Sequence, residues 1–482
     1  MMRPQKQINH KTMRNMKKIL SLLFLVGMSV AVCAQTIEKT LKPRMVVLTD
    51  IAPANIEPDD QESLIRLLSH ADLFEVEAII ATTGWNNSNY PVEWMDTIFN
   101  TLGAYEKDLP NLMKRSGQTA FLPLKKEEKK QYIGYWPSVE YLRSRVMLGS
   151  AKMGREVIGE GNRSAGSDFI IQLADEKDNR PLWISVWGGG NTLAQAIWQV
   201  KQTRTDKEFK AFLHKLRVYT ITDQDVPWHN RGQYAFSSHE WMRQLCGDDL
   251  LFIWDESAWL SQNDIGSRNW NEYAAHVQKH GHLGARYPKN KYGVEGDTPS
   301  YLHILPNGLN NPSEPTQVGW AGYHVWDNSL DKTTQCYTNT TPEIKRISQK
   351  YENYFYPAIF ANFAARMDWA KEGKGNRNPI VVVNGKKGLD AIQVKARAGK
   401  TIALDAAKTT DPDGDALSYK WWVMPESGSY QGNVAVSNAT KPQATLTLPA
   451  DAAGHTIHVI CEVSDNGEHS LTAYRRVIIT VK

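Results

Sequence analysis

Through the larger, N-terminal part of the chain, short apolar runs alternate with stretches in which apolar residues recur every three or four positions. The runs Arg44–Thr49, Val76–Thr82, Leu182–Trp187, Leu216–Thr222 and Leu250–Trp254 read as buried strands. In Gln61–His70, Leu64, Leu67 and Leu68 repeat at helical spacing, and Asp168–Ala174, Thr192–Val200 and Pro342–Lys371 read as further helices. Alternation of this kind predicts βαβ units and a mostly parallel, open α/β sheet. Residues 107–150 and 255–340 are less regular, so long loops with short helices over the sheet's edge are expected there.

The pattern changes near Glu372–Asn378, where Gly, Lys and Asn replace the apolar periodicity. Short alternating runs follow at Ile380–Val383, Ile392–Lys395, Thr401–Leu404, Leu417–Val423, Ala444–Leu448, Ile457–Val463 and Tyr474–Val481. Turn signals such as Asp411-Pro-Asp-Gly-Asp415 and Asp465-Asn-Gly467 separate them. About seven such strands in roughly 100 residues describe an immunoglobulin-like β-sandwich. The expected division is a segment 1–34, an α/β domain over 35–375 and a sandwich over 376–482.

The first 34 residues read as a secretory signal peptide. Arg3, Lys6, Lys11, Arg14, Lys17 and Lys18 precede an apolar run from Ile19 to Val32, which ends at Cys33-Ala34-Gln35. Cleavage after Ala34 is expected; lipidation of Cys33 is the rival, with Val32 a poor residue before a lipobox cysteine. The location implied is periplasmic, cell-surface or extracellular. Removing the six cations turns the formal charge of +4 into −2, which leaves no electrostatic footprint for nucleic acid. No later run is apolar and long enough for a transmembrane helix.

Cys246, Cys336 and Cys461 are too widely spaced for a disulfide framework or a zinc motif, and read as buried free thiols. The 16 tryptophans are the strongest compositional signal. Each offers a flat apolar face at low entropic cost, and as a set they point toward stacking on sugar rings, although core packing accounts for many.

In open α/β sheets, ligands bind outside the carboxyl ends of the strands. Polar residues recur there: Asp50, then Glu57-Pro58-Asp59-Asp60; Thr83-Gly84-Trp85-Asn86-Asn87; Gly188-Gly-Gly-Asn191; Asp223-Gln224-Asp225; and Asp255-Glu256. Asp50, Asp59 and Asp60 brought together would repel one another unless a cation lay between them, and hard oxygen ligands select Ca2+ or Mg2+. The alternative for Asp59 or Asp60 is capping of the following helix.

Thr49-Asp50 at a strand's end, with Asp59-Asp60 opening a helix, resembles the Asp-Thr-Asp-Pro-Gly-x-Asp-Asp signature of nucleoside hydrolases. Trp187-Gly-Gly-Gly-Asn-Thr-Leu-Ala194 resembles their Gly-Pro-Leu-Thr-Asn-Leu-Ala segment. Thr83-Gly84-Trp85-Asn86 resembles their Gly-Asn turn, and Glu295-Gly-Asp297-Thr-Pro-Ser300 their final metal-binding aspartate. The combination is more closely similar to secreted bacterial proteins described as cellulose-binding, with a nucleoside-hydrolase-like domain and a C-terminal sandwich. That likeness spans residues 43–482. It implies a Ca2+ ion held by Asp50, Asp60, the backbone near Asn191 and Asp297. Asp50 would also be the base toward water, and Asp59, Asn86 or Asn87 would hold sugar hydroxyls beside Trp85.

The chain departs from the nucleoside-hydrolase pattern at three places. Leu48 replaces the first aspartate, about five extra residues around Ala52–Ile56 precede the Asp-Asp pair, and Gly296 stands where a leaving-group histidine is expected. A Trp-rich cleft for a glycan therefore fits better than a nucleobase pocket. His229, His239, Asp225 and Glu256 are conceivable leaving-group acids without a motif. Asp411-Pro-Asp-Gly-Asp415 imitates an EF-hand start, but its twelfth position is Trp422, so it reads as a turn. The expected function is calcium-dependent glycoside hydrolysis; the alternatives are glycan binding without cleavage and nucleoside hydrolysis.

Overall fold

The structure, a computed structural model, describes residues 40–85, 89–122, 132–227, 232–330, 332 and 335–482. The expected signal segment 1–34 and the candidates Asn86, Asn87 and His229 lie outside the described residues.

Strands β1 (Arg44–Thr49), β2 (Glu75–Ala81), β3 (Val146–Leu148), β4 (Leu182–Val186), β5 (Leu216–Ile221), β6 (Leu251–Asp255), β7 (Val325–Asp327) and β8 (Cys336–Thr338) form one sheet, ordered β3-β2-β1-β4-β5-β6-β8-β7. Every neighbouring pair is parallel except β7–β8, so the carboxyl ends of β1 to β6 share one rim. The strands read as unbroken apolar runs because both faces are covered. Met45 and Val47 face a layer containing Leu64, Leu68 and Phe363, while Val46 and Leu48 face Ile170, Leu193 and Ile197.

The expected strands and helices appear with boundaries shifted by a few residues at most. The Asp59–Ser69 helix carries Asp59, Asp60 and Glu62 in its first turn, where the helix dipole favours negative charge. Two expectations fail. The Asp96–Ser116 helix occupies part of the segment expected to be irregular, with Pro110 in its interior and Gly117 ending it at φ +77. Ile380–Val383 forms no strand, only isolated bridges from Ile380 to Thr410 and from Val383 to Lys386.

The C-terminal strands are β9 (Ile392–Ala396), β10 (Thr401–Asp405), β11 (Ser418–Val423), β12 (Val436–Ser437), β13 (Gln443–Thr447), β14 (Thr456–Ser464) and β15 (Thr472–Val481). Sheets β10-β13-β12 and β11-β14-β15-β9 close over Trp421, Val459, Cys461 and Ile479. Asp411 does make a turn, its Oδ1 accepting from the backbone N–H groups of Asp413 and Asp415. Cys246, Cys336 and Cys461 are buried, and none of them forms a disulfide among the described residues.

The sandwich packs on the α/β part through an aromatic seam within one compact unit, Leu41–Lys482. Tyr474 meets Trp320 and Phe355 edge-on at 6.2 and 5.7 Å between centroids, and Trp422 lies against Tyr354 at 5.6 Å. Buried Arg476 donates from Nε to the Leu309 carbonyl at 2.5 Å and from Nη2 to the Val318 carbonyl at 2.8 Å.

Candidate functional site

Asp50 leaves the end of β1 with its carboxylate pinched between two glycine turns. A Cβ on Gly84 would fall 2.1 Å from Asp50 Oδ2, and one on Gly188 would fall 2.7 Å from Oδ1. Only glycine lets the turns after β2 and β4 close around that carboxylate.

Asp60 opens the helix that follows and its Oδ1 accepts from the Thr49 hydroxyl, tying the helix start to the end of β1. Asp59 Oδ1 accepts from the Asp60 N–H at 3.2 Å. Asp297 comes from a distant turn. Asp59, Asp60 and Asp297 each present an oxygen within 4.8 Å of the others. Asp297 Oδ2 is buried without a hydrogen-bond partner among the described residues.

The electrostatics follow from this crowding. Burial, then repulsion from Asp50 and Asp59, holds the Asp60 carboxyl well above its usual range. Burial, then Asp60, Asp59 and Asp50, does the same to Asp297. Burial pushes Asp59 up to about 6. Glu57, named on the rim but given no role by the sequence, joins the cluster: burial and the charges of Asp59, Asp50 and Asp60 push it up to about 10. Carboxylates this crowded ionise together only around a cation. The all-oxygen donor set and the orphaned Asp297 oxygen fit Ca2+ or Mg2+.

The turn that carries Asp297 is braced from below. Glu295 adopts φ +57. Its carboxylate lies 3.3 Å from Arg66 Nε and accepts from the Tyr287 hydroxyl at 2.9 Å. Its N–H donates to Glu62 at 2.9 Å. At Gly296, a Cβ would lie 2.8 Å from Asp59 Oδ2. A side chain there would press on the Asp59 carboxylate, so the glycine and the placement of Asp59 go together.

Asn191 begins the Asn191–Thr203 helix. Its Nδ2 donates to the Gly154 carbonyl at 2.6 Å, and its Oδ1 is buried without a partner among the described residues. Beside it, Asp225 Oδ1 accepts from the Gly190 N–H at 2.8 Å and Oδ2 from the Ser238 N–H at 2.9 Å. His239 is fully buried, 3.3 Å from Asp223. Asp225 is therefore spent on bracing the glycine turn. Asp255 caps the Ala258–Arg268 helix, accepting from the N–H groups of Ser257, Ala258 and Trp259. Glu256, pushed up to about 7 by burial, accepts from Thr222 and Trp254.

Trp85, directly after Gly84, donates from its indole to the Val226 carbonyl at 3.0 Å and meets Trp259 edge-on at 6.2 Å. Both are half-buried. Trp259 had no local sequence signal. By contrast, Trp136, Trp187 and Trp421 are wholly core.

An open parallel sheet with converging carboxylates on its carboxyl rim, followed by a β-sandwich, defines a nucleoside-hydrolase-like protein. Residues 44–324 match the family described as cellulose-binding Sde182, nucleoside hydrolase-like domain, and residues 401–481 match the cellulose-binding protein Sde0182, C-terminal domain. The chain belongs to this cellulose-binding Sde182 family. A solved structure from Saccharophagus degradans, a nucleoside hydrolase-related hypothetical protein associated with carbohydrate metabolism, is 35% identical; the match covers 92% of this chain and 100% of that one, with a TM-score of 0.76. The PKD domain of KIAA 1837 protein (19% identity, 19% of this chain and 81% of that one, TM-score 0.15) is too distant to inform the argument. So is the effector protein XOO4466 (8% identity, 69% and 94%, TM-score 0.33). None of the curated proteins matches the sequence significantly. Among the described residues, no helix is long and apolar enough to cross a membrane.

Proposed function

We propose that this protein is an exported, calcium-dependent glycoside hydrolase acting on a polysaccharide or oligosaccharide. The observation that carries the reading is the convergence of Asp59, Asp60 and Asp297, with Asp50 held beside them and one Asp297 oxygen lacking any partner among the described residues. Asp50, Asp60 and Asp297, with the Asn191 turn, would hold the ion. When bound, calcium would neutralise these carboxylates and polarise a water or a sugar hydroxyl.

The protein's own groups would do the rest. Asp50, fixed by the glycine turns, would accept the proton of the attacking water as the anomeric bond breaks through an oxocarbenium-like transition state. Asp59, at the edge of the cluster, would accept hydrogen bonds from sugar hydroxyls, and Asn86 or Asn87 is the further candidate for that role. Trp85 and Trp259 would stack on sugar rings. Glu256, whose carboxyl burial raises to about 7, would be the leaving-group acid among the candidates.

A second reading, glycan binding without cleavage, draws on Gly296, which leaves no imidazole beside Asp59, and on the family's cellulose-binding description. One experiment separates the two. Mature protein is incubated with plant and bacterial glycans, with Ca2+ or with chelator, and compared with Asp60→Ala. Reducing sugar released only with Ca2+ and Asp60 supports hydrolysis. Ca2+-dependent retention on a glycan without release would replace it with binding, and liberated nucleobase would point to nucleoside hydrolysis. Export predicts a mature chain that starts at Gln35, readable by mass spectrometry.

A further inference from the structure

A second group of metal-ligating side chains lies where the sandwich meets the α/β part. Asp368 is near the end of the Pro342–Glu372 helix, and Glu468 and His469 are on the turn between β14 and β15. Asp368, Glu468 and His469 each present a ligand atom within 4.8 Å of the others. Asp368 Oδ2 is 3.0 Å from His469 Nε2, and its other oxygen is 2.7 Å from His280 Nδ1. The ring of His276 stands 4.9 Å from that of His469. Asp368, His280 and His469 are 17, 12 and 11% exposed, so an ion could reach them yet be largely enclosed.

The turn aims His469 at Asp368. His469 adopts φ +64 and Ser470 φ +33, left-handed backbone unusual for residues other than glycine. Asp465 Oδ1 accepts from the N–H groups of Gly467 and Leu471 at 3.1 and 2.9 Å, and from Asn376 Nδ2 at 2.9 Å, which fixes the loop.

We propose that Asp368, Glu468 and His469 form a site for one Zn2+-like divalent ion that clasps the sandwich to the α/β part. Asp368, Glu468 and His469 supply three ligands of a four-coordinate site and water the fourth. His280 holds the second oxygen of Asp368, the supporting role that orients a ligating group. An imidazole in the set favours zinc over calcium, whereas the carboxylate rim offers oxygen alone. One chain would thus carry two sites of different chemical hardness.

Zinc titration of the metal-stripped full-length mature protein, in excess Ca2+ to fill the rim, tests this by calorimetry and by thermal unfolding. One equivalent of Zn2+ is expected to bind and raise the Tm. His280→Ala should weaken binding by about ten- to a hundredfold, and His469→Ala should abolish it. Glu468→Gln, a near-isosteric change at an exposed side chain, should weaken it clearly, while Asp60→Ala should leave it intact. The proposal is overturned if wild type binds no Zn2+, if Glu468→Gln and His469→Ala bind as wild type does, or if Asp60→Ala removes the binding.

Discussion

Replacing Gly84 with alanine tests the carboxylate pocket directly. The added Cβ would fall 2.1 Å from Asp50 Oδ2, where ordinary contact begins at 3.4 Å, so one of them must move by about 1.3 Å (3.4 − 2.1). Retreat toward the other turn is narrow, because the Gly188 backbone lies so close that even a Cβ there would fall 2.7 Å from Asp50 Oδ1. A displacement of about 1 Å in a reacting group costs on the order of a hundredfold in rate, or about 2.7 kcal/mol of transition-state stabilisation. Overpacking should take a further 1–3 kcal/mol, roughly, from stability. Gly103→Ala is the control. Nothing lies within 4 Å of its Cβ, and in the interior of the Asp96–Ser116 helix it should stabilise by about 1 kcal/mol. Calcium affinity by calorimetry, glycan release or retention, and the urea midpoint are read on both variants. If Gly84→Ala binds calcium and handles glycan as wild type does, Asp50 is not part of the working site.

Three other expectations follow from the same geometry. Because burial lifts the Asp59 carboxyl to about 6, above its usual 3.8, and burial with the neighbouring carboxylates also raises Asp60 and Asp297 well above their usual range, the metal-free fold holds more protons than the unfolded chain. Its contribution to stability from these groups is complete below pH 4, roughly, and is lost as pH rises through 6 and above. Calcium binding at the proposed site would expel those protons, so its affinity should strengthen from pH 5 to pH 7, with proton release seen as a buffer-dependent binding heat; pH-independent binding contradicts this. Arg66→Met leaves Glu295 buried without its cation and should cost about 3–5 kcal/mol in chemical denaturation, while a loss under about 1 kcal/mol would show that the pair does not brace the Asp297 turn. Arg476→Met strands the Leu309 and Val318 carbonyls and should cost about 3 kcal/mol; an unchanged urea midpoint would show the seam holds without it.

The strands β1, β2, β4, β5 and β6 were legible because burial on both faces makes each an unbroken apolar run, whereas β3, three half-buried residues at the sheet's edge, lay in a stretch that read as irregular; the rim followed once parallel order was inferred. The Asp96–Ser116 helix was also written in the chain: Ile98, Leu102, Tyr105, Leu109 and Leu112 recur at helical spacing and are all buried. Gly103 and Pro110 obscured it. Ile380–Val383 has strand composition but finds no continuous partner. At the site, Asp59, Asp60 and Asp297 were visible as motifs and do converge, whereas Glu57, beside the pair on the same rim, belongs to no motif that marks it as part of the cluster. Trp259 and the Asp368–His469 contact were invisible because tertiary folding alone brings their segments together. Gly296 looked like a lost histidine, but a side chain there would press on the Asp59 carboxylate.

The aromatic seam has a consequence for how such a protein can be assembled or rearranged. An accessory module on a flexible tether can be deleted, exchanged or duplicated with little effect on its catalytic neighbour. Here Tyr474, Ile460 and Met424 complete the same apolar core as Trp320 and Phe355. Cutting the chain after the Pro342–Glu372 helix would strip that core and leave Trp320, Tyr351 and Phe355 facing water. The sandwich is then inherited with its partner as a single folding unit. A glycan strand bound on the sandwich would be held in fixed register with the carboxylate pocket, like a ruler rather than a leash.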